Sequence, residues 1–250
     1  MGEMYESLSG GHSGRVFRDG NRVIKKASPW TPSVHSLMET LRNAGINYVP
    51  KNFGVTSEGL EVLEFVEGEV PIYPFPEWVW NDDLLIDVAR KMRKFHDADL
   101  VGEFGEREWR RGKVSPTEVM CHGDLAPYNT VCEGGRVKSF IDWDYALPAP
   151  RGWDLGYAAY RWVSLTHPNN RDGRKQDLDE QKRRLQLFAL SYGDFSSTEI
   201  IHWAMRRLED LISHSRSEAR LGNVNMQDTI DAGHVTLYER DLQWLKEVYL

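Results

Sequence analysis

Cysteine and long apolar runs are both scarce in this sequence. Its two cysteines, Cys121 and Cys132, belong to no CxxC or Cys/His metal pattern. We therefore expect reduced thiols in a cytoplasmic protein rather than a disulfide framework. No apolar run reaches the roughly eighteen residues of a membrane span, and Met1 to Gly14 form no apolar signal segment. We expect no membrane partner.

Positive charge is also in short supply. The chain carries 31 Lys and Arg against 38 Asp and Glu, a formal net charge of −7. Nucleic-acid binding needs clustered basic residues to neutralise phosphates, so this balance argues against a nucleic-acid partner. Hydrophobic residues are not scarce, at 40% of the chain. The composition is therefore that of a folded protein and not of a disordered one.

The first third of the sequence has the pattern of short strands around one helix. Two strand pairs are predicted around the turns Asp19-Gly20 and Glu58-Gly59, with a helical apolar stripe between them. Beyond the proline-rich segment Pro71 to Trp80, helical periodicity dominates. We predict an α+β fold with a small antiparallel-β N-terminal lobe at 1–67 and a larger, mainly helical lobe at 68–250.

The strongest chemical signal is HGDLAPYN, residues 122–129, which holds Asp124 and Asn129 in a loop after a short strand. The segment IDWD, with Asp142, follows a predicted hairpin whose turn is at Gly134-Gly135. Because a hairpin returns its second strand to where the first began, Asp142 should lie beside Asn129 and Asp124. Phosphoryl transfer needs such a set, with one acid to take a proton and two oxygen ligands to hold Mg²⁺.

HGDLAPYN followed by IDWD resembles the aminoglycoside phosphotransferase and choline kinase-like family, which has a two-lobed protein kinase-like fold. The resemblance implies that Asp124 is the catalytic base and that Asn129 and Asp142 are the Mg²⁺ ligands. It implies ATP or GTP as phosphate donor and a hydroxyl group of a small molecule as acceptor. In residues 122–129, called the catalytic loop below, His122 is expected to brace the backbone. Asp144 stays open, as a supporting group or as a surface acid.

The N-terminal lobe adds weaker matches to the same family. Ser9 to Val16 resembles its glycine-rich loop, where glycines let backbone N–H groups approach the phosphates. Val23 to Lys26 resembles the strand whose lysine reaches the phosphates, and Leu63 to Glu69 resembles the strand end that binds adenine. The resemblance implies a nucleotide site formed by Gly11, Gly14, Val23, Lys25, Glu64, Phe65 and Val66.

The surroundings of the predicted lysine leave a choice open. Strand alternation puts Val23 and Lys25 on one face and Lys26 on the other, which favours Lys25. The family has a glutamate on the helix that holds this lysine. Here Glu39 is the only acid on that helix, and His35 stands where the glutamate is expected. Either residue could meet Lys25, or the ion pair could be absent.

Acceptor recognition is predicted to depend on the helical lobe. An acidic chain is compatible with a cationic acceptor, although solvated helix faces explain the same charges. Asp154, in a segment that also resembles the family, is expected to cap the next helix and to brace the catalytic loop. The acids that could bind an ammonium group are Asp177, Asp179, Glu180, Glu209, Asp210 and Glu218.

Three other functions compete with that of a small-molecule kinase. A protein kinase would need an APE-type segment and a long activation loop after Asp142, and the sequence has neither. A catalytically impaired, nucleotide-binding regulatory protein on the same fold would be expected to lack one of four residues. These residues, Lys25, Asp124, Asn129 and Asp142, are all present. A metal-dependent hydrolase at His122 and Asp124 would need further ligands at metal spacing, which the sequence does not offer.

Overall fold

The computed structural model describes residues 6–8 and 16–250, which fold into a β-rich part and a larger helical part. The β-rich part is a five-stranded antiparallel sheet of order β1-β2-β3-β5-β4. Its elements are β1 (Glu6–Leu8), β2 (Val16–Asp19), β3 (Arg22–Lys26), α1 (Thr31–Asn43), β4 (Asn52–Val55) and β5 (Leu60–Glu64). Both predicted strand pairs and the helix between them are therefore confirmed.

Strand β3 is the middle strand of this sheet, and its neighbours decide what its side chains meet. The hairpin from β2 turns at Gly20, whose φ of 57° lies in the left-handed region that glycine adopts without strain. On its other side β3 pairs with β5, and the register sets Lys25 opposite Glu61. Directly opposed residues on antiparallel strands lie within side-chain contact, so this register fixes a neighbour of Lys25.

The larger part is mainly helical, which confirms the predicted fold class. Two small sheets interrupt it, one formed by β6 (Val119–Cys121) with β9 (Leu147–Ala149), the other by β7 (Thr130–Glu133) with β8 (Arg136–Phe140). The helices are α2 (Asp82–His96), α3 (Val101–Phe104), α4 (Arg151–Ala159), α5 (Leu178–Tyr192), α6 (Ser197–Arg220), α7 (Val224–Asp231) and α8 (His234–Tyr249).

Local sequence explains where the long helices begin. The side chain of Asn81 caps α2 by accepting the N–H of Asp83, and α6 begins with a capping box formed by Ser196 and Glu199. Helix α2 packs on α5, and α6 packs on both α4 and α8. Strand β6 packs on α2 and α4, and β8 packs on α2, so the segments that hold Asp124, Asn129 and Asp142 lie against the helices.

Helix α4 continues into a π-helical turn, Tyr160–Ser164. Such turns are rare and are found often at functional sites. Ser164 ends the turn with a φ of 63°, which is uncommon for a residue other than glycine. Three residues of this turn, Tyr160, Arg161 and Ser164, line the cleft described below.

The described helices include none that combines the length and the apolar character of a membrane span. The sheet ends at Glu64, and the first helix of the larger part begins at Asp82. The division of the chain between residues 67 and 68 lies in this interval and stays a prediction.

Candidate active site

A cleft of about 970 Å³ is lined by residues of both parts of the molecule. Its size is at the upper end of the range typical of small-molecule sites, roughly 300–1,000 Å³. The predicted site residues that line it are Val23, Lys25, Glu64, Phe65, Val66, Asp124, Asn129 and Asp142. Gly11 and Gly14 lie outside the described residues, so their part in the site stays a prediction.

A buried carboxylate holds the catalytic loop from below. Asp154, in the first turn of α4, accepts the backbone N–H of His122 at 2.6 Å and that of Gly123 at 2.8 Å. Nε2 of His96 lies 3.2 Å from the same carboxylate, and burial lowers the pKa of His96, which keeps its imidazole neutral. Asp154 braces the loop, as predicted. It does not cap α4, because Pro150 occupies the N-cap position.

Close packing fixes the loop on its other sides. Gly123 has a φ of 82°, and a Cβ atom there would lie 2.0 Å from the carbonyl oxygen of Tyr145, so only glycine fits. Nε2 of His122 lies 3.0 Å from the carbonyl oxygen of Ile141. Arg207 donates to the carbonyl oxygen of Gly123 at 3.0 Å. His122 is thus a bracing residue, with its ring directed at backbone.

Asp124 lines the cleft with its carboxylate hydrogen-bonded on both oxygens. Nδ2 of Asn129 donates to Oδ2 at 2.8 Å, and the hydroxyl of Tyr128 donates to Oδ1 at 3.3 Å. Burial raises the pKa of Asp124, and the nearby negative charge of Asp142 raises it further. A higher pKa makes the carboxylate a stronger base, so this group is suited to accept a proton.

The β7–β8 hairpin brings Asp142 back to Asn129. Thr130 and Phe140 face each other in the ladder, and the N–H of Ile141 donates to the carbonyl oxygen of Asn129 at 2.9 Å. Asp142 follows directly, with a φ of 59° in the left-handed region. The proximity predicted from the hairpin pattern is confirmed, because the antiparallel register leaves the chain no other place for Asp142.

The chemistry of these side chains fits Mg²⁺. The amide nitrogen of Asn129 is used on the backbone oxygen and carboxylate of Asp124, which leaves its amide oxygen for a cation. Among the described residues, the lining of the cleft holds more acids than Lys and Arg side chains. The acids are Glu61, Glu64, Asp124, Asp142, Asp144 and Asp172, and the basic residues are Lys25, Arg110, Arg161 and Arg171. A divalent cation with hard oxygen ligands would balance this excess of negative charge.

Lys25 lies among three carboxylates. Its Nζ is 2.8 Å from Oδ1 of Asp144. It is also 3.5 Å from Oε2 of Glu61 and 3.6 Å from Oδ1 of Asp142. Burial lowers the pKa of Lys25, but the charges of these acids outweigh it and the pKa is raised, so the ammonium group stays charged. Asp144 is therefore a buried partner of Lys25 and not a surface acid, while Lys26 is exposed.

Among the described residues, no ion pair joins Lys25 to a residue of helix α1. Glu39 is exposed on α1. Nε2 of His35 lies 2.7 Å from Oε1 of Glu61, whose other carboxylate oxygen faces Lys25. Strand β5 thus supplies the carboxylate that the family pattern places on the helix, because the register sets Glu61 opposite Lys25. The sequence feature that could have indicated this partner is the acid Glu61, which stands between apolar residues of a predicted strand.

The strand end predicted to bind adenine has part of its backbone already occupied. The N–H of Glu64 donates to the carbonyl oxygen of Lys51, and the N–H of Phe65 donates to that of Asn21, both at 2.8 Å. These two donors belong to the hydrogen bonding of the sheet itself. The N–H of Val66 is therefore the better candidate for the edge of a base.

Sequence reasoning missed a cluster next to Asp124, here named the tyrosine–arginine cluster. Nε of Arg161 donates to the hydroxyl of Tyr157 at 3.2 Å, and that hydroxyl lies 2.8 Å from the hydroxyl of Tyr128, which contacts Asp124. The signal was a single charge in the otherwise uncharged stretch Leu155–Leu165. The cluster consists of Tyr73, Tyr128, Tyr157, Arg161 and Tyr238.

The acids considered for ammonium recognition lie elsewhere. None of the six lines the cleft. Glu180 pairs with Arg183 at 2.6 Å, and Asp210 pairs with Arg111 at 2.8 Å. These ion pairs join or support helices, so Glu180 and Asp210 have a structural explanation and need no cationic acceptor.

One buried set in the described part of the chain has metal-ligand chemistry, namely His96, Cys121 and Asp154. Both carboxylate oxygens of Asp154 already accept backbone N–H groups of the catalytic loop. Burial raises the pKa of the Cys121 thiol well above its ordinary value, which disfavours the thiolate that binds metals. The set therefore supports the loop, and it adds nothing to the hydrolase alternative.

Comparison with known proteins agrees with this fold. Residues 76–188 match the family model APH, described as "Phosphotransferase enzyme family". Macrolide 2′-phosphotransferase MphH from Brachybacterium faecium is 14% identical, with a TM-score of 0.62 over 92% of this chain and 91% of that one. Choline kinase LicA from Streptococcus pneumoniae is 15% identical, with a TM-score of 0.59 over 98% and 93%. The family model thus supports the resemblance for residues 76–188, and the solved structures confirm the protein kinase-like fold.

A curated relative adds a biological context. The Trifolitoxin immunity protein of Rhizobium leguminosarum bv. trifolii is 31% identical over 160 residues. The match covers 61% of this chain and 60% of the relative, so the chain spans about 60% of the length of that protein.

Proposed function

We propose that this protein is a phosphotransferase that moves the γ-phosphate of ATP or GTP to a hydroxyl group of a small molecule in the cytoplasm. One observation carries the proposal. A strand, a loop and a hairpin bring four groups suited to phosphoryl transfer to one cleft: Lys25, Asp124, Asn129 and Asp142. A nucleotide-binding regulatory protein would not need a complete set, which is why we favour an enzyme.

In the proposed reaction Asp124 is the base. Its carboxylate accepts the proton of the acceptor hydroxyl while the oxygen of that hydroxyl attacks the γ-phosphorus. The bond between the γ-phosphorus and the bridging β-phosphate oxygen breaks, which releases the nucleoside diphosphate. The hydrogen bond from Asn129 to Oδ2 holds the carboxylate in position. Oδ1 accepts a hydrogen bond from Tyr128 and has a second lone pair that can accept the proton.

The phosphate groups would be held by cations. Asn129, through its amide oxygen, and Asp142 would hold Mg²⁺, which neutralises charge on the phosphates when it is bound. Lys25 would exchange its contact with Asp144 for one with the phosphates. Glu61 is suited to keep the ammonium group in place during that exchange, because His35 and the sheet register fix its carboxylate.

The nucleotide base would lie under the β-sheet. Val23 lines the cleft on the same strand face as Lys25, and Val66 offers its N–H at the strand end. The backbone of Gly11 and Gly14 would approach the phosphates from above.

A transfer assay tests the proposal. Labelled Mg²⁺-ATP and Mg²⁺-GTP are incubated with aminoglycosides, macrolides, choline, homoserine and amino sugars, and label in the acceptor is measured by mass spectrometry. We expect transfer that requires Mg²⁺ and one class of acceptor. Nucleotide binding without transfer to any acceptor would favour the regulatory alternative. No binding of either nucleotide would contradict both functions.

Immunity to a toxin is a second candidate, favoured by the relative named an immunity protein. A phosphotransferase could protect a cell by phosphorylating a toxin hydroxyl. Expression in a toxin-sensitive strain, with Asp124→Asn as the matched control, separates two cases. Protection lost in the variant would connect immunity to phosphoryl transfer, whereas protection kept in the variant would mean that binding alone suffices.

A further inference from the structure

Arg161 is a cation of the cleft without a counter-ion in the described part of the chain. No carboxylate there lies within 4.0 Å of its guanidinium. Asp172, an acid next to it along the cleft wall, pairs with Arg171 at 3.7 Å. The other carboxylates of the cleft contact Lys25, the catalytic loop or the backbone of Lys51.

The partners of Arg161 are neutral hydroxyl groups. Its two terminal nitrogens donate to Tyr73 at 3.3 Å and to Tyr238 at 3.1 Å, and Nε donates to Tyr157 at 3.2 Å. Burial raises the pKa of Tyr73 and Tyr157, so these phenols carry no charge at neutral pH. A guanidinium has five N–H donors, and three are used here, which leaves two for a ligand.

Aromatic rings hold the guanidinium in place without neutralising it. Its central carbon lies 4.9 Å from the ring centre of Tyr160 and 5.2 Å from that of Tyr157. The π-helical turn fixes the backbone beneath it. A preorganised, partly desolvated guanidinium with free donors binds planar or tetrahedral oxyanions in two-point contacts.

We propose that the acceptor carries an oxyanion group, a carboxylate or a phosphate, which Arg161 binds while the hydroxyl to be phosphorylated lies at Asp124. This inference rests on the proposed phosphotransferase function and names its substrate class. The hydrogen-bonded path from Arg161 through Tyr157 and Tyr128 to Asp124 sets the distance between the two groups of the acceptor. It replaces the cationic acceptor suggested by the acidic composition.

Matched acceptors test this inference on the full chain. Each set shares one polyol skeleton and differs in a single group: glucuronate, glucose 6-phosphate, glucose and glucosamine, then glycerate, glycerol phosphate, glycerol and 3-amino-1,2-propanediol. Binding is measured by calorimetry with Mg²⁺ and a non-hydrolysable ATP analogue. We expect an anionic member to bind on the order of 10- to 100-fold more tightly than its neutral and ammonium counterparts, as for hydrogen bonds to a charged group. The carboxylate and phosphate members distinguish the two oxyanions.

Variants assign the effect to Arg161. Arg161→Gln should remove the preference for the anionic acceptor. Arg161→Lys keeps the positive charge but loses the paired N–H donors of the guanidinium, so it should retain part of that preference. Arg206→Gln is the matched control, because Arg206 is exposed and stacks on Trp203 at 4.9 Å away from the cleft. Thermal unfolding of each variant checks that it is folded.

The outcomes separate this inference from the proposed function. Tighter binding of an ammonium or neutral member, equal affinity in Arg161→Gln, or no binding of any anionic member would overturn the oxyanion class, while phosphate transfer to other acceptors could still be measured. Anion binding that depends on Arg161 without any transfer of label would support the anion site and contradict the phosphotransferase.

Discussion

The two walls of the cleft hold their charged residues in place in different ways. On the helical side, the catalytic loop has the family spacing of Asp124 and Asn129, and Asp154 braces it from one helix. On the sheet side, Lys25 lacks the helical glutamate of the family pattern and has Glu61 from a neighbouring strand instead. The spacing of two residues within one loop can be recognised in the sequence. The carboxylate that contacts a lysine on a strand, by contrast, can come from a helix or from a neighbouring strand.

Both walls also share a way of fixing a carboxylate. Asp154 contacts His96, and Glu61 contacts His35, so each buried acid is held by a histidine of a neighbouring helix. A buried charge is costly unless it is hydrogen-bonded, and these contacts meet that need. The comparison predicts that changes on the helical side disturb proton transfer and loop stability, while changes on the sheet side disturb nucleotide binding.

The largest effect should come from Asp124→Asn. The amide cannot accept the proton of the acceptor hydroxyl, so we expect kcat to fall by about 10²- to 10⁴-fold with nucleotide affinity nearly unchanged. Steady-state kinetics and a nucleotide titration measure the two quantities. Asp179→Asn, at an exposed acid of α5, is the control. Near-normal turnover in Asp124→Asn would show that this residue is not the base.

Asp154→Asn should be next in magnitude. The amide offers one acceptor where the loop presents two N–H donors, and it brings an N–H group of its own into a buried site. We expect a loss of about 3 kcal/mol or more in the free energy of unfolding, measured by urea denaturation. Asp97→Asn, which breaks half-exposed ion pairs with Arg93 and Arg151, should cost about 1 kcal/mol or less. Equal losses would mean that the brace is unimportant.

Glu61→Gln tests the sheet side. Without its charge the residue no longer balances Lys25 between the acids, so we expect nucleotide affinity to fall on the order of tenfold, as for a charge-assisted contact. Glu39→Gln on the exposed side of α1 should leave affinity unchanged. The titration is done with Mg²⁺-ATP on both variants. A larger effect of Glu39→Gln would restore the helical partner of the family pattern and contradict the arrangement described above.

The smallest expected effect is a shift to higher pH of the acid limb in the pH profile of kcat/KM. Burial and the charge of Asp142 raise the pKa of Asp124 from the ordinary value of 3.8. A base works only when deprotonated, so kcat/KM should fall as the pH drops through this raised pKa, and the limb should lie above pH 3.8. Profiles of kcat/KM for the Mg²⁺-nucleotide give its position, because this quantity reports the pKa of the free enzyme, before the metal is bound. A limb at or below 3.8 would contradict either the raised pKa or the role of Asp124.

The sequence was informative where spacing within one segment decides the geometry. The β7–β8 hairpin carries its own turn, so Asp142 returns to Asn129 whatever surrounds it. The sequence was uninformative where partners lie far apart in the chain. The contact between Glu61 and Lys25 requires that β5, and not β4, pairs with β3, and no local pattern states which strand is the neighbour.

By itself the sequence determined the fold class and the positions of Asp124, Asn129 and Asp142 around one point, because apolar periodicity and hairpin register are local. Only the tertiary structure decided the surroundings of Lys25 and the charge of the acceptor end. In the sequence, Arg161 is only a single charged residue in an apolar, helical stretch. Only the tertiary structure surrounds its guanidinium with tyrosines from four separate segments and, within the described residues, leaves it without an ion pair.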